Sequence, residues 1–483
     1  MAFDSLTDFI RLLEKRGDLV RITDEVDPRL EISAMADKVS KSPDGGRALL
    51  FEKPKGYSYP VLINAFGSRK RMSLALGAED MEERAQEIEK FLDFKPEGGS
   101  LLDKIKMLPR LAEFSKFLPT KVSKAPCQEV VEAEVDISKL PILTCWPKDG
   151  GPFITLPMVY TLDPETGARN VGMYRMQVFD TNTTAMHWHP HHQGAKNYRK
   201  AEKLGKRLEV SVTLGGDPAI TYAATAPVPD GMDELLFAGF LRRKPVETVK
   251  CKTVDLWVNA DAEFVLEGYV EPGERRLEGP FGDHTGYYSL PDSFPVFHVT
   301  CVTHRKNPVY PTTIVGKPPM EDDWIGKATE RLFLPVLKKI LPEIVDLDLP
   351  VEGLFHNLVL VSIDKQYPQH ARKVMFALWG LGQMMLTKVI VVVDKDTDVH
   401  DYQQVMWRVG NCLDARRDVV MVDGPLDVLD HASSASGWGG KMGLDATRKW
   451  KEEGFNRPWP EELVMDKAAE EKAEELMRRY RLI

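Results

Sequence analysis

The distribution of apolar positions divides the chain into three textures. At the start, Phe9, Ile10, Leu12 and Leu13 recur at helical spacing behind Asp4 and Ser5, which can cap a helix, and Gly17 ends it. Residues 24–65 mix a short helix with strand-like runs such as ALLFE and PVLINAF, and residues 79–118 read as charged helix with a break near Pro96–Gly99. From about 126, short β-rich runs (PMVYTLD, RMQVFD, LEVSVTLGG, TVDLWVN, AEFVLEGYV, FPVFHVTCVTHR) alternate with Gly, Pro, Asp and Asn, which predicts a closed or half-open β-barrel. One helix over about 230–242, DGMDELLFAGFLR, interrupts it. From about 325, helical LFLPVLKKIL, QHARKVMFALWGLGQ and DYQQVMWRV alternate with continuous apolar LVLVSID, KVIVVVD and VVMVD, the pattern of a parallel α/β sheet. The last residues read as a charged helix whose few apolar positions, Leu463, Ala469, Ala473, Leu476 and Tyr480, make a docking face.

These textures predict a multi-domain α/β protein divided at 1–120, 121–325 and 326–483. Its 483 residues are enough for a large core. The net charge of −9 speaks against a nucleic-acid partner. The five cysteines are scattered without CxxC spacing, as expected of free thiols in a reducing compartment. The opening MAFDSLTDFIRLLEKRG lacks the basic and apolar regions of a signal peptide. No apolar run approaches the ~18–20 residues of a spanning helix. The expectation is a soluble cytoplasmic protein.

Four stretches carry possible chemistry. In RNVGMYRMQ, Asn170 offers an amide oxygen to a hard cation and Arg175 a planar fork for a carboxylate or phosphate, although the stretch taken alone reads more simply as a hairpin with polar ends. AMHWHPHHQGA holds His187, His189, His191 and His192, four of the chain's 11 histidines. Pro190 should end a strand there and turn His191 and His192 away from His187 and His189. In APVPDGMDELLFAG, residues Pro229, Asp230 and Gly231 signal a helix start, and Glu234 is either an ordinary first-turn acid or a metal-bridging carboxylate. In RLEGPFGDHTGYY, Glu278 and Asp283 flank a turn in which Gly279 and Gly282 let the backbone approach a ligand closely. A proton-transfer role for this pair needs burial and a cation nearby. Asn, His and Glu together suit Mn²⁺ or Mg²⁺ better than a thiolate zinc site. There is no Walker loop, no GxGxxG after a strand and no GxSxG.

In this order, and together with EVDPRLEI, residues 48–62, LPILTCWP and SGWGGKMGLDATRKW, these stretches resemble the UbiD family of reversible decarboxylases nearly end to end. The bacterial polyprenyl-hydroxybenzoate branch is the most similar. The resemblance implies an FMN-binding split β-barrel flanked by a small N-terminal α/β region and a C-terminal α/β domain that builds homodimers or homohexamers. It implies prenylated FMN, supplied by a separate flavin prenyltransferase and held through Mn²⁺ and K⁺. Carried over by position, Asn170, His192 and Glu234 resemble the Mn²⁺ ligands. Met173, Tyr174, Arg175, His187, Trp188, His189, His192 and Gln193 resemble cofactor contacts, and Ala223, Ala224 and Ala226 a K⁺-binding loop. Arg175, Glu278 and Asp283 match the family's Glu–Arg–Glu/Asp triad. The substrate carboxylate would sit against Arg175, Asp283 would protonate the carbon that loses CO₂, and Glu278 would hold Arg175. The expected substrate is an aromatic acid of quinone synthesis (polyprenyl-hydroxybenzoate or naphthoate type), or else another (hetero)aromatic acid in degradation.

Three departures stand out. The ubiquinone-type branch carries Arg where this chain has His192. A family Arg near the cofactor is replaced by Cys412, with Arg408 one turn earlier. A phosphate-contacting Lys has no match around Gly382–Gln383. A flavin carrier without turnover and a flavin-free hydrolytic metalloenzyme are the alternatives from other classes.

Overall fold

Ser5 starts the first helix as expected: its hydroxyl accepts the Asp8 amide, and Leu6–Lys15 follows with Leu6, Phe9, Ile10 and Leu13 turned into the core and Leu12 half-buried. The computed structural model describes residues 2–92, 115–229 and 231–483. The Pro96–Gly99 break and Asp230 lie outside them.

Strands Leu19–Val26, Ala48–Pro54 and Val61–Ile63 form a sheet completed by Tyr310–Pro311, which returns from far along the chain. The central sheet is antiparallel throughout, in the order Thr183–Ala185, Asp292–His304, Phe264–Glu278, Leu208–Leu214, Met158–Leu162, Arg169–Met173. Its two long strands slip register between Glu267 and Gly268 and between Val270 and Arg275. Such irregularities bend a strand and add twist, and the sheet curls into the half-barrel expected. Two helices extend the sequence reading. The predicted 230–242 helix is Glu234–Arg242, with Asp233 as N-cap through its carboxylate on the Leu235 amide. Gln193–Lys203 forms directly after the histidine cluster, with His192 at its N-cap.

The C-terminal sheet corrects the all-parallel expectation. Its order is Ile344–Asp348, Leu358–Ile363, Val389–Asp394, Trp438–Asp445, Val419–Pro425, parallel in the centre and antiparallel at both edges. No α-helix crosses over between either edge strand and its neighbour, and a parallel pairing needs such a crossover. Helix His370–Trp379 packs on one face and Tyr402–Cys412 on the other. Helix Lys467–Arg479 buries no residue. Among the described residues, no helix is long and apolar enough to cross a membrane.

Glu263, just ahead of Phe264–Glu278, is fully buried and accepts the Val309 amide at 2.9 Å. Burial pushes its pKa up to about 7, against the opposing pull of that amide and of Arg305. Between the ordinary carboxyl value of 4.5 and about 7, the native state therefore keeps a proton that the unfolded chain loses. Native stability drawn from this group is full below 4.5 and is lost as pH rises through about 7. Glu263→Gln should remove that loss. Thermal denaturation at pH 5 and pH 8 should show the variant gaining about 2–4 °C on the wild type at the higher pH; equal differences at both would contradict the assignment.

Candidate active site

The hairpin Met158–Leu162/Arg169–Met173 pairs Thr161 with Asn170 and delivers Tyr174 and Arg175 at its end. Arg175 is the hub. Its Nε and Nη2 donate to Glu278 Oε1 at 3.1 and 2.9 Å, Nη1 donates to Asp283 Oδ2, and Nη2 also reaches Ser289 Oγ at 3.3 Å. The Phe281 ring lies 4.5 Å from the guanidinium carbon. Glu278 is 1% exposed and Asp283 4%. Residues 103 and 108 positions apart in sequence thus meet in one largely covered ion cluster.

The turn between the two carboxylates is held through its backbone. The Gly279 amide donates to Gln177 Oε1 (2.7 Å), Phe281 to Ser289 Oγ (3.2 Å) and Gly282 to Asp149 Oδ1 (2.8 Å). Gly279 has a φ of +95°, which glycine tolerates. A Cβ on Gly282 would meet the Trp146 ring at 2.1 Å. The expectation that Gly282 makes room for a ligand is corrected: the close neighbour is an indole of the same chain.

Glu278 Oε2 is 2.7 Å from His187 Nδ1, and His187 Nε2 is 2.7 Å from His189 Nε2. Burial, and then the charge of Arg175, lower the His187 pKa; burial and the neighbouring His187 and His192 lower that of His189. Both rings are neutral at ordinary pH. Burial alone would raise Glu278, but His187 and Arg175 outweigh it and keep the carboxylate ionised. Asp283 is held well below the usual range: burial opposes this, and Arg175 and His284 overcome it.

The histidines differ from the expectation in two ways. The strand ends at Ala185, before any of them. His189 and His192 also do not diverge, because their rings stack with centroids 4.9 Å apart at 10°. The bend at Pro190 folds the segment back, and the His189 amide donates to His192 Nδ1 at 3.1 Å. With Nδ1 accepting, the neutral His192 ring carries its proton on Nε2, and holding a cation through Nε2 would require the bond from the His189 amide to be released. His189, His191 and His192 also bring one nitrogen each within 4.8 Å of one another. His189 Nε2 is already bonded to His187, so we favour the mixed Asn–His–Glu set over three imidazoles.

On that side, Glu234 Oε2 accepts the Val171 amide at 3.1 Å, next in sequence to Asn170, and the Tyr174 ring is 4.9 Å from that of His192. Burial pushes Glu234 up to about 7, so a cation beside it would relieve an uncompensated charge. The Arg169 Nε, Asn170 Nδ2 and Trp188 Nε1 donors are buried without hydrogen-bond partners. Such orphans suit an anionic group such as a phosphate. The absent Cβ of Gly194 leaves room for Trp188 Nε1, and that of Gly172 for the Tyr174 hydroxyl. The residues present therefore fit a divalent cation and a phosphate-bearing cofactor. Met173 donates its amide to the Ala224 carbonyl (3.0 Å), and the Ala223 and Ala226 carbonyls accept amides within their own loop. Gln193 begins the helix and reaches Asn197. Arg408 does not stand in at the site: its guanidinium bonds Glu462 at 2.8 Å, within the C-terminal part of the chain, where Cys412 is buried too.

Sequence reasoning missed His284 and His356. The His284 Nδ1 lies 2.7 Å from Asp283 Oδ1, and its Nε2 lies 3.2 Å from His356 Nε2. His284 stood inside a quoted motif beside Asp283, which was the available signal; His356 had none.

Known proteins share this arrangement of chain. A protein of Archaeoglobus fulgidus described only as uncharacterized is 53% identical over 100% of this chain and 99% of its own. The vanillic acid decarboxylase of Sedimentibacter hydroxybenzoicus, in closed form, superposes with a TM-score of 0.86 at 30% identity, covering 99% of both chains. The UbiD-class enzyme HmfF of Pelotomaculum thermopropionicum in complex with FMN gives 0.80 at 32%, covering 96% of this chain and 98% of that one. An evolved dimeric form of HmfF with prFMN gives 0.78 at 30%, covering 97% and 98%. Family models for the N-terminal, Rift-related and C-terminal domains of 3-octaprenyl-4-hydroxybenzoate carboxy-lyase match residues 10–92, 120–318 and 323–446. With all three domains matched in order around the Arg175 cluster, the chain belongs to the UbiD family of carboxy-lyases.

Proposed function

We propose that this chain is a prenylated-FMN-dependent decarboxylase of an aromatic carboxylic acid, with Arg175, Glu278 and Asp283 as its catalytic group. The observation that carries this reading is Arg175 held between two buried carboxylates, with the orphaned donors of Arg169 and Asn170 on the hairpin that delivers it and Glu234 bonded to the Val171 amide of that hairpin. Asn170, His192 and Glu234 would hold Mn²⁺, the 223–226 loop K⁺, and Met173, Tyr174, His187, Trp188, His189 and Gln193 the cofactor. When bound, the prenylated flavin supplies an electrophilic carbon and an electron sink.

The chain's own residues do the rest. Arg175 binds the substrate carboxylate with a planar fork. Glu278 anchors the other edge of the guanidinium, so the fork stays oriented. A third carboxylate arriving at Arg175 adds a like charge beside Asp283 and weakens its hold on the guanidinium. Both effects raise the Asp283 pKa from its depressed resting value. Asp283 then takes up a proton where the leaving CO₂ exposes an electron pair, and delivers it to that carbon. The near-complete burial of both acids keeps bulk water from quenching the charge.

The physiological setting we favour is quinone biosynthesis of the polyprenyl-hydroxybenzoate or naphthoate type, supported by the family descriptions. Degradation of another aromatic acid is the second reading, favoured by the vanillic acid decarboxylase relative. A cytoplasmic homodimer or homohexamer, loaded by a flavin prenyltransferase, completes the proposal.

The test is co-expression with a flavin prenyltransferase, oxygen-free purification and mass spectrometry of the released small molecule, followed by a panel of hydroxybenzoic, vanillic, naphthoic and heteroaromatic acids. A prenylated-FMN mass and release of CO₂ from one panel acid are expected; plain FMN or nothing would favour the carrier or metalloenzyme readings. Asp283→Asn should lower turnover at least about 10²-fold, the lower end of a general acid's contribution, with cofactor still bound. Normal turnover would remove the proton-donor assignment. Glu234→Ala should lose Mn²⁺ and flavin together, read by metal analysis and flavin absorbance; tight flavin retention would count against the metal set.

A further inference from the structure

The Asp283 carboxylate is bonded on both sides. Oδ2 faces Arg175, while Oδ1 accepts the His284 backbone amide and lies against His284 Nδ1, both at 2.7 Å. The remaining nitrogen of His284 meets His356 Nε2 at 3.2 Å. His356 belongs to the C-terminal part of the chain, in a turn where Leu354 and Phe355 both take left-handed conformations (φ 56° and 48°). Consecutive left-handed residues that are not glycine are costly and persist where surrounding packing over-determines them. Here the turn sets the Phe355 ring on His284, 5.5 Å between centroids at 30°. Gly326 makes room for it, since a Cβ there would lie 2.6 Å from Phe355 Cβ. The other His356 nitrogen, Nδ1, is buried without a partner in hydrogen-bond geometry; Asn357 acts on the ring from beside it, and His284 is the partner at hydrogen-bond distance.

We propose that His284 stores the proton that Asp283 delivers, and that His356 is a positioning residue that fixes His284 in this role. The inference rests on Asp283 being the proton donor. Charge agrees with geometry. Burial alone would lower His284, but the bond and charge of Asp283, with Asp322 and Asp427, raise it to about 9. Burial, and then the cation on His284, lower His356 to about 4. The groups facing His284 are thus Asp283 on its own loop, Asp322 and Asp323 at the start of helix Glu321–Ile340, His356, and Asp427. The resting pair is imidazolium and carboxylate, with a neutral imidazole accepting the Nε2 proton. Each turnover breaks the bond between ring carbon and carboxylate, leaving the electron pair on the ring as CO₂ departs. The His284 Nδ1 proton passes to the Asp283 carboxylate, the neutral acid so formed gives one proton to the carbon and is a carboxylate again, and His284, left neutral, is recharged with one proton from solvent. No other reactant is needed.

The experiment is ¹⁵N NMR of histidine-labelled full-length protein across pH 6 to 10, with the His284 signals identified by their loss in His284→Gln. The wild-type ring should stay protonated up to about pH 9. In His356→Leu the acceptor is lost in a still-dry site, and the midpoint should fall by about one pH unit, the scale of one hydrogen bond to a charged group. His356→Gln, whose carbonyl can accept the same proton, should restore most of it. In cofactor-loaded enzyme acting on whichever panel acid it decarboxylates, the alkaline limb of kcat should shift in parallel with KM unchanged. A wild-type His284 titrating near 6.5, or a midpoint indifferent to His356→Leu, overturns the inference. Asp283→Asn separates the two failures: an active variant removes the donor reading itself, whereas an inactive one with an indifferent His284 removes only the role of His356.

Discussion

One largely covered guanidinium governs the centre of this protein. The Arg175 side chain is 10% exposed, and an ion so far withdrawn from water is tolerated only when paired and hydrogen-bonded. Glu278 and Asp283 supply the pairing, but two carboxylates around one cation leave an excess negative charge. His284 lies against the second of them, and the charge of Asp283, with Asp322 and Asp427, raises its pKa to about 9, which favours a second cation beside Arg175. Removing one partner of such a buried group typically costs about 3–5 kcal/mol. The scaffold that brings distant residues together, the long bent strand ending at Glu278 and the braced turn behind it, is therefore tied to the same interaction as the chemistry.

The other half of the site has the opposite character. Around Asn170, His192 and Glu234 there is one carboxylate that burial pushes up to about 7, and several donors with nothing to bind. Arg169 there is already paired with Asp233, so what this half lacks is a partner for Glu234 and for the orphaned donors, which the proposed metal and phosphate would supply. A row of neutral rings joins the halves: Glu278 to His187, His187 to His189, and the His189 amide to His192. The Glu278 carboxylate fixes the tautomer of His187 and His187 that of His189, whereas the tautomer of His192 is fixed by the His189 backbone amide. The orientation of Glu278 and that of the proposed metal ligand are thus linked through a short hydrogen-bonded path.

Much of this was legible in the chain. The period of the apolar residues identified the long central strands, and the cap at Ser5 and the stop at Gly17 identified the first helix, because those features are local. Strand direction at the edges of the C-terminal sheet was not legible, since apolar runs look alike in parallel and antiparallel pairings and only the connections decide. The helix after His192 was passed over because its buried positions, Ala195, Tyr198 and Ala201, are sparse in a polar run. The pairing of Arg175 with Glu278 and Asp283 came from the resemblance rather than from spacing. The stacking of His189 on His192 depends on a backbone bend that Pro190 announces without giving its direction. His356 was invisible because its meaning comes wholly from a contact 72 residues away.

The shared groups cannot by themselves choose a substrate. In the proposed mechanism every aromatic acid would offer Arg175 the same carboxylate and Asp283 the same kind of carbon, so selectivity would come from groups that meet the ring. A TM-score of 0.86 at 30% identity with the vanillic acid decarboxylase leaves ample room for such differences within one backbone. The C-terminal part of this chain already reaches the catalytic cluster through Phe355 and His356. The nearby turn Gly382–Leu386 is itself pinned by Lys441, which donates to the Met385 and Thr387 carbonyls. If the same docked segments also shape the space for the ring, a ring that displaces them would leave His284 without its acceptor and the proton poorly placed. Selection of the ring and delivery of the proton would then depend on the same contacts, and discrimination would appear in turnover rather than in binding alone.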